Sequence, residues 1–392
     1  MPDEQAHHDV VVVGAGVSGC ASARALATDH DVLLLDKGQP AGEASGLAAG
    51  NCAPTLFYAD VPAVARHANQ FFREFDGTGQ FSFHERPRVE LINPAKVERA
   101  RERAERIASN GFPVSFLHVE EARENYPEFD FSEFAGVVEY RDTGWLDPYT
   151  YTISLKEDAE RRGATFRTGV EVTDLAVRQN RVTGVETTEG TINAETVVVA
   201  TGWRIHESLA EYVSIPVRPF KLQCAIIRGE EELRRDFPTG RVSSKEVYFR
   251  GEPNGDLLVG GGEYFIDTES AGSLSTGAQI DEAFRMEVAL TVPEFMDGFG
   301  DAELVNAWAG VDSATPDAMP ILDAPADGPD NLVVSTGFNG LGMLNSGVAA
   351  GAVRALVTGE SCPFPLEPFS LDRFDSESSE FPLAGTFGAG GV

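Results

Sequence analysis

Residues 9–19 decide the fold, and they read DVVVVGAGVSG. The four valines Val10–Val13 predict a strand that is covered on both faces, as in a parallel sheet. Each glycine that follows has its own part in the motif. Gly14 permits a tight turn, Gly16 lets the backbone approach a diphosphate closely, and Gly19 lets the next helix pack on the strand. The stretch therefore predicts a strand, a phosphate-binding turn and the start of a helix.

The next residues complete a βαβ unit. Cys20–Ala27 is rich in small residues with good helix propensity, and Asp31–Leu35 is a second apolar strand that ends at Asp36. Asp36 lies 22 positions after Gly14, close to the spacing of about 20 at which a carboxylate accepts hydrogen bonds from an adenosine ribose. The helix start offers N–H groups and the positive end of its dipole to phosphates. We therefore predict that this unit binds a dinucleotide.

The composition is that of a large globular protein with an acidic surface. Of 392 residues, 42% are hydrophobic, which excludes the disordered class. There are 62 acidic and 31 basic residues, the latter 26 arginines and five lysines, so the net charge is −31. Such a surface repels nucleic acid and anionic lipid. Because salt screens self-repulsion, we predict a protein adapted to high salt. The alternative is an ordinary acidic protein, and unfolding in low salt would separate the two.

The cysteines and the first residues bear on the compartment. Cys20, Cys52, Cys224 and Cys362 share no short metal-ligand spacing and form no disulfide framework, so we expect reduced thiols and no metal site. Residues 1–8 lack the features of a signal peptide, and no apolar stretch approaches the about 18 residues of a membrane-spanning helix. We expect a cytoplasmic protein with, at most, a peripheral association with a membrane.

The rest of the chain alternates between helical and strand-like segments. Residues 60–130 read as helical and charged, with a solvated helix at Lys96–Ser109, and residues 151–163 read as a further helix. A β-meander then leads to the apolar strand Thr196–Ala200, which returns to the first sheet. The predicted strands of the meander are Glu171–Val177, Arg181–Thr187 and Thr191–Ala194.

These segments predict an α/β fold with two intertwined domains. We predict a discontinuous Rossmann-type nucleotide-binding domain from residues 1–80, 150–215 and 308–365. Into it is inserted a largely antiparallel β-sheet substrate domain, from residues 81–149 and 216–307. Residues 366–392, rich in Pro, Ser and Gly, are expected to form a loose tail.

Four patches of sequence carry a resemblance to a known family. They are Glu43–Asn51, Val170–Val172, Ala200–Gly202, and a C-terminal block made of Trp308–Asp317, Pro320–Leu322 and Gly337–Met343. In order and spacing they resemble the FAD-dependent D-amino-acid oxidase superfamily. Within it, the chain is most similar to D-amino-acid dehydrogenases and their glycine oxidase and sarcosine oxidase relatives. The resemblance extends over nearly the whole chain.

This resemblance implies a bound FAD and makes the Rossmann-type domain an FAD-binding domain. A glycine loop that opens a helix aims N–H groups and a dipole at one spot, which would stabilise the negative charge of a reduced flavin. Gly310 stands where monomeric sarcosine oxidases carry their flavin-linking cysteine, so non-covalent FAD is expected. The expected cofactor contacts are Gly14, Gly16, Val17, Ser18, Gly19, Asp36, Lys37, Ser45, Ala49, Gly50, Asn51, Val172, Thr201, Gly202, Gly310, Gly337, Asn339, Gly340, Leu341, Gly342 and Met343.

One position departs from the family pattern. Many members carry an arginine before Thr-Pro-Asp that clamps the substrate carboxylate, and this chain has Asp312 there. The same aspartate is common in the sarcosine oxidase beta-subunit and dimethylglycine dehydrogenase branch. An anchor for a carboxylate would then come from elsewhere, and we expect Lys221 or Arg250, with Tyr248 as a phenolic donor.

The reaction that the resemblance implies is oxidative deamination of a D-amino acid. A hydride passes from the α-carbon to flavin N5, and hydrolysis of the imine gives a 2-oxo acid and ammonia. Electrons would go to a quinone, a carrier protein or O₂. The alternatives are a sarcosine-, dimethylglycine- or proline-type dehydrogenase, a flavin-binding subunit without activity of its own, and a nicotinamide-dependent dehydrogenase. No side chain is expected to be the catalytic base if the amine binds neutral.

Overall fold

The structure is a computed structural model, and it describes residues 7–374 and 380–384. Within these residues the strands are β1 (His7–Val13), β2 (Val32–Asp36), β3 (Asn51–Cys52), β4 (His84–Glu85), β5 (Arg88–Ile92), β6 (Val114–His118), β7 (Gly136–Tyr140), β8 (Gly144–Trp145), β9 (Thr165–Thr168), β10 (Val172–Arg178), β11 (Arg181–Thr187), β12 (Gly190–Val199), β13 (Arg218–Arg228), β14 (Thr239–Val242), β15 (Val247–Gly251), β16 (Leu257–Phe265), β17 (Glu303–Ala314), β18 (Ile321–Asp323) and β19 (Leu332–Thr336). The helices are α1 (Val17–Leu26), α2 (Ala44–Leu47), α3 (Pro54–Phe57), α4 (Pro62–Phe75), α5 (Val97–Ser109), α6 (Val119–Asn125), α7 (Pro148–Arg161), α8 (Ile205–Leu209), α9 (Thr268–Leu274), α10 (Glu282–Thr291) and α11 (Gly342–Thr358).

The first sheet is built around β1. Strands β9, β2, β1, β12 and β19 lie side by side in that order and are all parallel. Val10 and Val12 face a core shared with α1, α4, α7 and α11. Val11 and Val13 face a second core, shared with the strands β10–β12 and with α8. The valine run of β1, Val10–Val13, is thus covered on both faces, as its sequence predicts.

The meander joins this sheet differently from the prediction. The predicted strands Thr191–Ala194 and Thr196–Ala200 form one strand, β12. Glu195 interrupts the apolar pattern, but its side chain is exposed, so the backbone continues extended through it. The first half of β12 pairs antiparallel with β11, and its second half pairs parallel with β19. β12 therefore connects the meander to the nucleotide-binding strands.

The second sheet has eight strands in the order β17-β13-β16-β15-β14-β5-β7-β6. Every neighbouring pair is antiparallel except β14 with β5. The predicted α/β fold class, with a largely antiparallel second sheet, is confirmed. The two sheets face a common cavity, described below, while β3, β8 and β4 form a small sheet beside them.

The prediction that residues 60–130 are helical is wrong in part. The segment contains α4, α5 and α6, but also the strands β4, β5 and β6. In β5, Arg88 and Glu90 are buried, so an apparently charged stretch is an interior strand. Charged residues normally lie on protein surfaces. The sequence pattern gives no sign that Arg88 and Glu90 are buried.

The prediction of a loose tail from residue 366 is wrong for residues 367–373. Two short 3₁₀ turns, Glu367–Phe369 and Leu371–Arg373, lie against the protein, and Phe369 is fully buried in the core beside α11. The expectations for residues 1–6, 375–379 and 385–392 lie outside the described residues. In the described part of the chain, no helix combines the length and apolar character that crossing a bilayer requires.

Candidate functional site

A cavity of about 480 Å³ runs between the two sheets. One side is formed by the turn between β1 and α1, by the end of β2 and by the loop before α11. The other side is formed by strands of the second sheet, which contribute Arg88, Leu222, Cys224, Arg241 and Tyr248. The nucleotide and the substrate that the sequence predicts would therefore bind in the same cavity.

The glycine turn after β1 has the close contacts that its sequence predicts. Gly14 has a φ of +105°, and a Cβ there would lie 2.5 Å from the carbonyl oxygen of Ala200. A Cβ on Gly19 would lie 1.9 Å from the carbonyl oxygen of Gly14. At the start of α1, the backbone N–H of Val17 donates to Oγ of Ser45 at 2.9 Å. The turn thus presents bare backbone and a helix start to the cavity, as diphosphate binding requires.

Asp36 lies at the cavity where β2 ends. Its Oδ2 accepts a hydrogen bond from the backbone N–H of Ala15 at 2.6 Å, and its Oδ1 accepts one from Gly38 at 2.7 Å. These bonds hold the carboxylate beside the glycine turn. A carboxylate so placed has lone pairs left for the hydroxyls of a ribose.

The loop before α11 is hydrogen-bonded to the buried side chain of Asp312. Its Oδ2 accepts a hydrogen bond from the backbone N–H of Gly340 at 2.8 Å, and its Oδ1 accepts one from Ser313 at 2.7 Å. Burial raises the pKa of the Asp312 carboxyl, and these bonds oppose the rise. Position 312 therefore shapes the glycine loop.

Several polar atoms at the cavity have no hydrogen-bond partner among the described residues. They are Nδ2 and Oδ1 of Asn51, Oγ1 of Thr201 and Nε1 of Trp203, and all three residues line the cavity. Buried polar atoms in proteins are nearly always paired. The three side chains therefore fit a bound group rich in donors and acceptors along its length, which is the character of FAD.

All but three of the predicted cofactor contacts line the cavity. The exceptions are Gly19, Gly337 and Asn339. Gly19 packs α1 on the turn, and Gly337 has a φ of +73° with Thr315 closely packed against it. Asn339 is fully buried: its Oδ1 accepts from the backbone N–H of Thr315 at 2.9 Å, and its Nδ2 donates to Oγ1 of Thr315 at 3.0 Å. These three residues shape the loops and do not themselves line the cavity.

Among the predicted substrate residues, only Tyr248 lines the cavity. Lys221 faces the other side of β13, because Leu222 and Cys224 face the cavity and successive side chains alternate along a strand. Its Nζ forms an ion pair of 2.7 Å with Asp281. Lys221 is therefore not placed to bind a substrate.

Arg250 is occupied by other contacts. Its Nε donates to the carbonyl oxygen of Ala49 at 2.7 Å, its Nη2 lies 3.1 Å from Glu252, and its guanidinium lies 4.4 Å from the ring centroid of Trp145. It does not line the cavity. Arg250 therefore holds the Ala49 loop, whose other side faces the cavity, and is not a substrate anchor.

Two arginines that the sequence analysis did not predict, Arg88 and Arg241, line the second-sheet side of the cavity. Arg88 is 5% exposed and Arg241 is 1% exposed. Burial and the charge of Arg241 lower the pKa of Arg88 to about 10. Nε of Arg88 has no hydrogen-bond partner among the described residues. A carboxylate in the cavity would supply that partner.

Arg241 belongs to a row of paired residues that crosses the second sheet. Arg241 pairs with Tyr248 on the next strand, and Tyr248 pairs with Gly260. A Cβ at Gly260 would lie 2.1 Å from the Tyr248 ring, so only glycine leaves room for the phenol. Gly260 in turn pairs with Cys224, whose Sγ lies 3.6 Å from the Tyr248 hydroxyl. Burial is the main cause that raises the pKa of Tyr248 well above 10, so the phenol stays protonated.

Comparison with known proteins agrees with this geometry. Residues 9–356 match the family described as DAO, FAD dependent oxidoreductase. The chain belongs to this family. The family is one of FAD-dependent oxidoreductases, and its members in the comparison include proteins named for D-amino acids and for sarcosine.

Relatives in the DAO family differ in the molecules they are named for. The chain is 28% identical over 247 residues to hydrogen cyanide synthase subunit HcnC of Pseudomonas protegens, covering 62% of this chain and 56% of that protein, or about half its length. It is 25% identical to sarcosine oxidase subunit beta of Arthrobacter, covering 96% of this chain and 93% of that subunit. It is also 25% identical to D-amino acid dehydrogenase of Cereibacter sphaeroides, covering 93% and 95%.

Solved structures show the same fold. L-proline dehydrogenase from P. horikoshii superposes with a TM-score of 0.84 at 22% identity, covering 95% of this chain and 98% of that chain. Glycine oxidase from Geobacillus kaustophilus gives 0.80 at 24% identity, covering 95% and 100%. The predicted family and cofactor, FAD, are confirmed. In residues 7–374 and 380–384 no group of three or more His, Cys, Asp and Glu side chains is arranged to hold a metal.

Proposed function

We propose that this DAO-family protein oxidises an α-amino acid whose carboxylate is bound by Arg88. The observation that carries the proposal is the position of Arg88: it is buried, it lines the cavity, and its Nε has no hydrogen-bond partner among the described residues. A buried guanidinium nitrogen without a hydrogen-bond partner is costly. A bound carboxylate would remove that cost, and it would fix one end of the substrate in the cavity.

The chain's own residues would hold the cofactor and orient the substrate. We assign the diphosphate to the turn at Gly14–Val17 with Ser45, the ribose to Asp36, and the flavin ring to the loop from Phe338 to Met343. When bound, the flavin supplies the hydride acceptor. Tyr248, with its proton retained, would donate a hydrogen bond to the substrate.

The protein's part is to fix the substrate and to exclude water. Arg88 fixes the carboxylate, so the carbon that bears nitrogen is held at one distance from the cofactor side of the cavity. Leu222 and Cys224 line the same side of the cavity as Arg88. Burial is the main cause that raises the pKa of the Cys224 thiol to about 11, so this thiol carries no negative charge at neutral pH.

The first substrate class we propose is a D-amino acid, released as a 2-oxo acid and ammonia. The D-amino acid dehydrogenase of Cereibacter sphaeroides, which the chain matches over nearly its whole length, supports it. A second candidate is an N-methyl or cyclic amine of the sarcosine, dimethylglycine or proline type. It is supported by Asp312 and by the similarity to sarcosine oxidase subunit beta.

The test is anaerobic reduction of the bound flavin, read at its band near ~450 nm. Purified holoprotein in molar salt is mixed with D-alanine, L-alanine, sarcosine or L-proline. Bleaching by D-alanine alone supports the first substrate class, and bleaching by sarcosine or L-proline supports the second. A flavin that no amino acid or amine bleaches contradicts the proposal and supports a binding subunit without activity. A colourless protein contradicts it and supports a nicotinamide-dependent enzyme.

The electron acceptor and the location are proposed from the sequence. We propose a quinone or a carrier protein as acceptor, with O₂ as the alternative, and a cytoplasmic location. Reoxidation of the reduced protein by a water-soluble quinone and by air, followed in parallel at the same wavelength, distinguishes the two acceptors. Rapid reoxidation by air alone would contradict the quinone or carrier.

A further inference from the structure

Arg250 is buried behind the wall of the cavity. It is 6% exposed and does not line the cavity, but its Nε donates to the carbonyl oxygen of Ala49, which does, at 2.7 Å. The other two guanidinium nitrogens also have partners: Nη2 lies 3.1 Å from Glu252, and Nη1 lies 3.5 Å from the carbonyl oxygen of Gly251. The guanidinium is therefore fixed, and it holds the Ala49 carbonyl in one direction.

Holding this carbonyl also sets the direction of the next N–H group. The peptide bond between Ala49 and Gly50 is trans, so its C=O and its N–H point in opposite directions. Because the carbonyl points to Arg250, away from the cavity, the N–H of Gly50 is turned toward the cavity. In the part of the chain that the structure describes, this N–H has no hydrogen-bond acceptor. Gly50 is buried, and a buried N–H without an acceptor is costly, which points to a ligand.

The residue is fixed on its other side as well. The carbonyl oxygen of Gly50 accepts a hydrogen bond from the backbone N–H of Leu146 at 3.0 Å. Gly50 has a φ of +77°, and a Cβ there would lie 2.0 Å from the carbonyl oxygen of Leu146. The ring of Trp145, the residue before Leu146, lies 4.4 Å from the Arg250 guanidinium. Protein contacts therefore set the direction of the Gly50 N–H.

This N–H belongs to the part of the cavity that we assign to the flavin ring. Leu47, just before it in the chain, packs on β17, where a Cβ at Gly310 would lie 3.2 Å from the Leu47 side chain. Two residues further along β17, Asp312 accepts a hydrogen bond from the N–H of Gly340, in the loop before α11. The segment that contains Gly50 and the loop before α11 therefore adjoin the same stretch of β17, and both line the cavity.

We infer that Arg250 is a positioning residue for the bound flavin: it aims the N–H of Gly50 at the ring and strengthens it as a donor. A hydrogen bond from a guanidinium to a peptide carbonyl polarises the peptide, so its N–H becomes a better donor. Such a donor stabilises the reduced flavin, which carries more negative charge, more than the oxidised flavin. Arg250 thereby raises the midpoint potential of a flavin that it does not touch. The inference rests on the flavin placement in the proposed function and not on the identity of the substrate.

The experiment removes the contact without changing the net charge. The double variant Arg250→Met/Glu252→Gln replaces an ion pair by two neutral side chains, so a change in potential reports the lost hydrogen bond to Ala49. We expect the Kd of reduced FAD to rise about 10-fold more than the Kd of oxidised FAD. That ratio lowers the two-electron midpoint potential by about 30 mV. The assays are FAD titration of the apoprotein and anaerobic titration of the holoprotein against a redox dye of known potential, both in molar salt.

A merely structural role of Arg250 gives a different result. A segment that is only loosened binds both forms of FAD less tightly by the same factor, which leaves the potential unchanged. An unchanged or raised potential overturns the inference. Because the dye titration uses no substrate, that outcome leaves the proposed function standing, and the substrate screen described above tests the proposed function separately.

Two further variants keep the experiment decisive. Arg250→Lys retains the charge and a donor but lacks the rigid guanidinium, so its potential should lie between those of the wild type and the double variant. If the double variant does not retain FAD, a potential of Arg250→Lys that is not below that of the wild type overturns the inference. Arg228→Met/Asp256→Asn is the matched control, because it removes an ion pair of 2.9 Å from the same sheet at residues that do not line the cavity. Its potential should equal that of the wild type, and a fall as large as in the double variant would overturn the assignment to Arg250.

Discussion

Replacing Gly19 by alanine tests whether the helix start is set by its contact with Gly14. A Cβ at residue 19 would lie 1.9 Å from the Gly14 carbonyl oxygen, where real contacts stay beyond 3.0 Å, so α1 must move by at least about 1.1 Å. Such overpacking costs about 1–3 kcal/mol, against a gain of up to about 1 kcal/mol in helix propensity. Because α1 carries the N–H groups assigned to the diphosphate, we expect FAD affinity to fall about 10–100-fold.

Gly272→Ala is the matched control. Gly272 is also inside a helix, α9, but it is exposed and a Cβ there meets nothing within 4 Å. We expect Gly272→Ala to raise the free energy of unfolding by about 0.5–1 kcal/mol and to leave FAD affinity unchanged. The assays are titration of the apoprotein with FAD, followed by flavin fluorescence, and urea unfolding in molar salt. If Gly19→Ala binds FAD like the wild type and is stabilised as much as Gly272→Ala, the close packing of α1 on the turn is refuted.

Three further predictions concern charge, loop shape and flavin attachment. Since the pKa of Arg88 is lowered to about 10 and its charged form binds carboxylate, the Kd of malonate should rise as the pH passes about 10; a constant Kd up to pH 11 would contradict this. Asn339→Ala removes the hydrogen bonds to Thr315 and should lower the free energy of unfolding, measured in urea, by about 2–3 kcal/mol. A loss under about 0.5 kcal/mol would show that other contacts fix the loop. Acid precipitation should leave all flavin in the supernatant, because burial keeps the cavity thiol of Cys224 protonated; a yellow pellet would refute non-covalent binding.

The nucleotide half of the site could be predicted because its signal is local. The turn at Gly14–Gly19 needs glycine for reasons confined to a few residues, and the order strand, turn, helix, strand, carboxylate is read along one continuous stretch. Asp36 lies where the spacing indicated. Gly337 and Asn339 were correctly placed in the loop before α11, but the sequence could not distinguish a residue that shapes a loop from one that faces the cavity.

The residues on the substrate side of the cavity could not be predicted, because they depend on which face of each strand is turned toward the cavity. Lys221 and Arg250 were chosen as cations on predicted strands, yet which face of β13 or β15 meets the cavity is fixed only by tertiary packing. Arg88 and Arg241 look like surface residues in the sequence. They are buried, and the contact that explains one of them, Arg241 with Glu90, joins strands that are 151 residues apart in the chain.

The parallel order β2-β1-β12-β19 has a consequence for biosynthesis. β1 cannot complete its side of the sheet until β12 has been made, and β12 then waits for β19, which ends at Thr336. At about 5–20 residues per second, more than 300 residues of translation separate the first strand from the last, or roughly 16–65 s. During that interval one edge of the parallel sheet stays unpaired, first at β1 until β12 is made and then at β12, and such edges are prone to aggregate. The nascent chain is therefore expected to need a chaperone until its final third has left the ribosome.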